Sequence, residues 1–184
     1  DMDINEIINY QPSGIILAGG PESVTDQTPP SVTMGLFELG VPILGICYGM
    51  QIMANQLGGA VEHSSIHEFG FAQIKPHNHS PLLEGLEDNI DIQHGSQLDV
   101  WMSHGDKVTK IPPKFKIMAS SNSCPIAGMF DVDRGFYGLQ FHPEVTHTQQ
   151  GIAIFERFVI KICGCQKTWT PTTITEDLIA KIRQ

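Results

Sequence analysis

The chain predicts an α/β sandwich, an open and mostly parallel sheet in three layers with helices on both faces. Two short apolar runs carry the prediction. Ser13-Gly14-Ile15-Ile16-Leu17 runs into Ala18-Gly19-Gly20-Pro21, and Val41-Pro42-Ile43-Leu44 runs into Gly45-Ile46-Cys47-Tyr48-Gly49, with helical periodicity between and after them. A third run, residues 136–141, ends at His142-Pro143-Glu144, where Pro143 has no N–H to continue a ladder. Open α/β sheets gather their sites beyond the carboxyl ends of neighbouring strands, which is where all three turns fall.

Taken in order, residues 13–17 read as a buried strand with a glycine pair just past its end. Residues 31–39 read as a helix, with Met34, Leu36, Phe37 and Leu39 as its apolar positions. Residues 50–57 form the helix after the second strand, stopped by Gly58-Gly59. From Ala60 to Phe130 the chain is strand-rich, with strands over 69–74, 98–102, 115–119 and 126–130 as a mixed extension of the sheet. Loops are marked by Asn78-His79-Ser80-Pro81 and Lys110-Ile111-Pro112-Pro113-Lys114. Residues 148–162 are amphipathic, with Ile152, Phe155, Phe158, Val159 and Ile162 on one core-packing face. Thr168-Trp169-Thr170-Pro171 reads as a linker. Thr173-x-x-Glu176 opens a helix striped by Ile174, Leu178 and Ile182. The chain thus divides into a domain over 1–166 and a linker with helix over 167–184 that leads toward another domain.

At 184 residues and 41% hydrophobic composition the chain suits one domain with a sizeable core. The formal net charge of −9 argues against nucleic acid or a membrane surface as partner. No apolar run approaches the ~18 residues that cross a bilayer, and the first residues do not read as a secretory signal. Four cysteines, Cys47, Cys124, Cys163 and Cys165, fit a reduced, cytoplasmic setting. Cys163-Gly164-Cys165 reads as two incidental thiols. His77-x-His79 lacks further ligands at useful spacing, so no metal site is expected. His63, His67 and His94 are expected on polar surface, His147 at the surface or capping a helix, and Trp101 either in the core or as a wall of a substrate pocket.

The chemistry concentrates at Cys47. A Gly-x-Cys-x-Gly at a strand-to-helix turn is a nucleophile elbow with sulfur as the attacking atom. The following helix directs its positive end at that sulfur and favours thiolate. Downstream, His142 and Glu144 share a strand end, in the order of general base and orienting carboxylate.

These residues resemble the class I, triad-type glutamine amidotransferase family, and more narrowly the glutaminase half of glutamine-hydrolysing GMP synthetases. The resemblance covers nearly the whole chain. Gly19-Gly20-Pro21-Glu22-Ser23, the elbow and His-Pro-Glu belong to the wider class. Residues 100–108 (V-W-M-S-H-G-D-K-V), residues 142–148 (H-P-E-V-T-H-T) and Trp169-Thr170-Pro171 point to the narrower one. The resemblance implies Cys47, His142 and Glu144 as catalytic triad, with the backbone N–H groups of Gly20 and Tyr48 as oxyanion hole. It places Gly19, Gln51, Ser103, His104, Gly105 and Asp106 around L-glutamine. It implies no cofactor in this chain. ATP and magnesium are expected in an ATP pyrophosphatase (synthetase) domain that aminates adenylated XMP, through which a homo-oligomer is also expected. Family members open with a strand–helix unit bearing a D-F-G-S-Q-like turn. This chain begins after it, so the sheet is expected to lack an inner strand.

Two other readings stay open on the residues alone. One is an amidotransferase component of another synthase, or a γ-glutamyl hydrolase, sharing elbow and triad but not the run over 100–108. The other is a catalytically silent relative used for binding or regulation, which ordinarily loses the nucleophile, the base or the glycine loop.

Overall fold

The structure, a computed structural model, describes residues 2–77, 79–91 and 95–167; the expected linker and helix after Lys167, and His94, lie outside them. Helix α1 (Ile4–Tyr10), which was not expected, opens the described chain. Asp3 accepts the Asn5 N–H at 2.7 Å, and Glu6 accepts the Asp3 N–H at 3.1 Å, a reciprocal cap on a short helix. Strands β1 (Ile15–Leu17), β2 (Ile43–Ile46) and β8 (Phe136–Leu139) lie side by side and parallel. The order then continues antiparallel through β7 (Gly128–Asp131), β6 (Lys116–Ser120), β3 (Ala60–Pro76), β5 (Gly95–Lys110) and β4 (Asn89–Asp91). The expected α/β sheet with helices is therefore present as a curled mixed sheet. Its parallel part is the three-strand end that carries the glycine turns. β1 forms the edge there and is half-buried rather than buried, with Ile16 exposed.

Side chains alternate across the sheet with the period of two that strands impose. Ile43, Met129 and Phe136 pack one face against Met50, Met53 and Ala54 of α2 (Tyr48–Gln56). Leu44, Ile46, Tyr137 and Leu139 pack the other against Ile154 and Phe158. Those two residues come from α3 (Gly151–Glu156) and from a π-helical continuation over Arg157–Ile162. Helix α2 stops as expected, at Gly58 with φ +92°.

Three expectations shift. The helix over 31–39 is a single 3₁₀ stretch, Met34–Glu38, in a segment that contains Gly35 and turns at Gly40 (φ +72°). The stripe on the last helix is out of phase at its start: Ile152 is 79% exposed, whereas Ile154 and Phe158 are buried. The helix changes to the wider π geometry at Arg157, so one 3.6-residue period cannot thread both halves. Third, the expected strands over 69–74 and 98–102 are parts of two much longer ribbon strands, β3 and β5, with Ser103 to Asp106 inside β5, whereas those expected over 115–119 and 126–130 are the short strands β6 and β7. Among the described residues no helix is long and apolar enough to cross a membrane.

Candidate active site

Pairing fixes the site before any side chain is considered. Leu17 pairs with Gly45, and Ile46 with Leu139, so the chain leaves β1, β2 and β8 at one edge of the sheet. Gly19-Gly20, Cys47 and His142 are the residues just beyond. The Cys47 N–H donates to the Leu139 carbonyl at 2.7 Å, locking the elbow to the strand that delivers the histidine.

The elbow is strained at the cysteine itself. Cys47 has φ 51° and ψ −107°, outside the comfortable regions for an L-residue. The flanking glycines serve close approach instead. A Cβ on Gly45 would lie 2.7 Å from the Gly49 backbone, and one on Gly49 only 2.1 Å from the Leu17 carbonyl oxygen. Helix α2 can start this close to β1 and β2 only without side chains at those positions. Tyr48 is its first residue, so the Tyr48 N–H has no acceptor within the helix. The Tyr48 hydroxyl donates to the Pro30 carbonyl at 2.7 Å and anchors the ring away from the cleft.

Glu144 lies 2.6 Å from His142 through Oε1 and Nδ1. The opposite nitrogen, Nε2, is buried without a hydrogen-bond partner. A Cβ on Gly19 would meet His142 Cε1 at 3.2 Å and Cys47 Cβ at 3.6 Å, so Gly19 floors the space between base and sulfur. The imidazole is pushed up from 6.5 to about 9, by Cys47 first and by the Glu144 hydrogen bond and charge next, against the opposing effect of burial. The imidazole therefore holds a proton through neutral pH. NMR of the ring nitrogens is expected to show His142 titrating well above 6.5, and lower in Glu144→Gln. A group raised in this way stabilises the fold fully below its unfolded value of ~6.5, and that contribution is lost as pH rises through about 9. A measured midpoint at or below 6.5 contradicts the assignment.

The opposite wall of the cleft, whose volume is about 470 Å³, comes from β5 and β3. Gln51, buried on α2, donates to the Asp106 carbonyl at 2.9 Å and pins β5 over the helix. Asp106 is 6% exposed; its carboxylate accepts from the Ser23 hydroxyl and lies 2.9 Å from His63 Nδ1. His63 and His67 are exposed, as expected, and the surface they occupy is the lining of this cleft. They arrive there because β3 carries an irregularity between His63 and Glu68 opposite Gly105. A Cβ on Gly105 would strike the His67 ring at 2.9 Å. His104 is buried; Nδ1 lies 3.0 Å from the Asp106 carbonyl, and Nε2 has no partner. Burial holds it below its ordinary pKa, hence neutral.

Of the sequence-expected site residues, Gly20, Cys47, Gln51 and Ser103 to Asp106 line this cleft, while Gly19 and His142 stand beside Cys47, Tyr48 follows it, and exposed Glu144 lies beyond the His142 ring. Trp101, expected in the core or at a pocket wall, is half-buried on β5 and packs against His147 with centroids 4.4 Å apart and the rings tilted by 35°. Two residues escaped sequence reasoning. Thr148 donates to the His142 carbonyl at 2.6 Å and accepts the Trp101 N–H at 3.1 Å. Gln140 donates to Cys47 Sγ at 3.8 Å. Nothing in local periodicity separates either from its neighbours.

Known proteins are similar to this chain along its whole length. A GMP synthase (glutamine-hydrolyzing) of Cellvibrio japonicus is 59% identical over all 184 residues, and one of Hydrogenovibrio crunogenus is 54% identical over the same span. The chain spans 35% of the length of each. A solved structure from Thermoplasma acidophilum, of a protein named for a component of GMP synthase, superposes with a TM-score of 0.72 at 30% identity. That match covers 88% of this chain and 78% of the other. The family model described as glutamine amidotransferase class-I matches residues 1–162, taking in the elbow, the cleft wall and the His-Pro-Glu turn together. With sulfur, imidazole and carboxylate at the meeting point of β2 and β8, the chain belongs to the class-I glutamine amidotransferases.

Proposed function

We propose that this chain is the glutaminase part of a glutamine-hydrolysing GMP synthetase. It hydrolyses L-glutamine to glutamate and hands the ammonia to a synthetase domain that aminates adenylated XMP. The carrying observation is the buried, unpartnered Nε2 of His142 facing Cys47, with Glu144 on its far nitrogen. Identity of 54–59% along the whole chain to GMP synthases supports the narrower part of the reading. ATP and magnesium belong to the synthetase reaction; hydrolysis of the amide needs neither.

In this reading the Cys47 thiolate attacks the carboxamide carbon. The Gly20 and Tyr48 N–H groups hold the developing oxyanion, where one such donor is worth about 3–4 kcal/mol. The His142 imidazolium protonates the departing nitrogen, ammonia leaves, and a γ-glutamyl thioester and a neutral imidazole remain. That imidazole then takes a proton from water as it attacks the thioester. Glutamate departs and the thiolate–imidazolium pair is restored. Asp106 carries the correct sign for the substrate ammonium, with Ser103, His104, Gly105, Gln51 and Gly19 shaping the pocket around it.

A glutamine-mimicking diazo-ketone tests the reading. Modification mapped by mass to Cys47 alone, and prevented by glutamine, is expected. Labelling spread over Cys124, Cys163 and Cys165 overturns it. Cys124 is fully buried with its thiol pushed up to about 12, and Cys163 to about 11, so neither competes at neutral pH.

Thr148 supplies a second prediction. Its hydroxyl ties the His142 carbonyl to the Trp101 N–H, and the His142 N–H donates back to the Trp101 carbonyl at 3.0 Å. Thr148→Val keeps the shape and removes both bonds of the hydroxyl. It is expected to lower kcat by about 10-fold with KM nearly unchanged, while Thr148→Ser retains activity. Equal activity in the two variants removes Thr148 from the positioning of the base.

A further inference from the structure

We infer that Gln140 is a further catalytic residue: its side-chain amide donates to the nucleophilic sulfur and favours the thiolate. Gln140 follows β8 directly and is fully buried, at 0% exposure. Its Nε2 lies 3.8 Å from Cys47 Sγ, within the longer reach of a sulfur acceptor.

The orientation of this amide follows from its surroundings. The Asp106 main-chain carbonyl can only accept, so the Gln51 group 2.9 Å from it must be the NH₂. The same NH₂ lies 3.3 Å from the Gln140 side chain, which must answer with its carbonyl oxygen. The Gln140 NH₂ is thereby left for the sulfur. Two amides in series pass a polarity set by the backbone of β5 to the reacting atom.

The sulfur also lies 3.5 Å from the Ser103 carbonyl. A carbonyl favours the thiol, which can donate to it; an N–H favours the thiolate, which can only accept. Cys47 has one of each. Removing the amide leaves the Ser103 carbonyl without its neutral counterweight, so the thiolate then rests on His142 and the start of α2 alone. The same chain of contacts couples the strand proposed to hold glutamine to the ionisation of the nucleophile.

This deepens the glutaminase reading and rests on it only in taking Cys47 as nucleophile. The test needs no glutamine, so its failure is distinct from a failure of that reading. In the complete protein, iodoacetamide alkylation of Cys47 is followed against pH by mass mapping of the Cys47 peptide. Gln140→Met is expected to raise the midpoint by about one pH unit. Gln140→Glu, of the same shape but with a carboxylate beside the sulfur, is expected to raise it further. Urea unfolding first establishes which variants are folded, and either folded variant decides the matter. A wild-type midpoint in a folded variant overturns the proposal, since a role confined to packing would leave it unmoved. If neither folds, the side-chain N–H resonances of Gln140 in the unmodified protein decide. They are expected to shift with the Cys47 midpoint, and flat resonances through that range overturn the proposal.

Discussion

Cys47→Ala is expected to abolish ammonia release from glutamine while the domain stays folded. Removing the nucleophile of an acyl-transfer site costs about 10⁵–10⁶-fold, because the remaining donors have no covalent intermediate to stabilise. Folding should survive because the change deletes one sulfur atom and leaves the sheet intact. The elbow conformation at φ 51° and ψ −107° is inherited by alanine. Cys47→Gly, which tolerates positive φ, should be more stable than Cys47→Ala by about 1 kcal/mol. Ammonia release coupled to a reporter enzyme, with urea unfolding of all three proteins, measures both effects. Release in Cys47→Ala above about 1% of wild type would remove Cys47 from the mechanism.

The second large effect is structural in origin. Gly49→Ala places a Cβ 2.1 Å from the Leu17 carbonyl oxygen and 2.7 Å from the Leu17 carbonyl carbon. Both are backbone atoms of a strand paired to β2, so no rotamer change relieves the clash. Helix α2 must retreat by roughly 1 Å, carrying with it the Tyr48 N–H and the Cys47 sulfur. A displacement of that size costs about 100-fold in rate, and the overpacking costs about 3 kcal/mol of stability. Gly40→Ala is the control. Its φ is +72°, but a Cβ there meets nothing within 4 Å. It should lose about 1 kcal/mol and no activity. If the two variants unfold at the same urea concentration, close approach is not why position 49 is glycine.

How far the sequence reaches depends on whether a signal is local. The elbow and His-Pro-Glu are short, and each carries its own punctuation, so both could be placed at strand ends. The cap on α1 was equally local, since Asp3 and Glu6 stand at capping spacing, yet so short a helix offers no periodicity to draw attention to it. Long-range features were illegible for a different reason. His63 reaches Asp106 only through the β3–β5 register and its irregularity, and no pattern within either strand encodes that offset. Gln140 reads as one more residue of a buried strand until Gln51 and Asp106 stand beside it. Ile152 was misplaced because a single helical period was applied across a change of helix type.

The β2–β8 ladder has a consequence for how such a domain can diverge. Cys47 and Gln140 stand 93 residues apart in the chain, yet Ile46 and Leu139 are direct partners. Alignment of the reacting groups is thus set by rungs rather than by the length of connecting polypeptide. Hairpin tips in the intervening excursion can grow, shrink or be exchanged without recalibrating the chemistry. A slip of a single rung between those two strands, however, would turn one reactive group to the wrong side of the sheet and silence the domain outright.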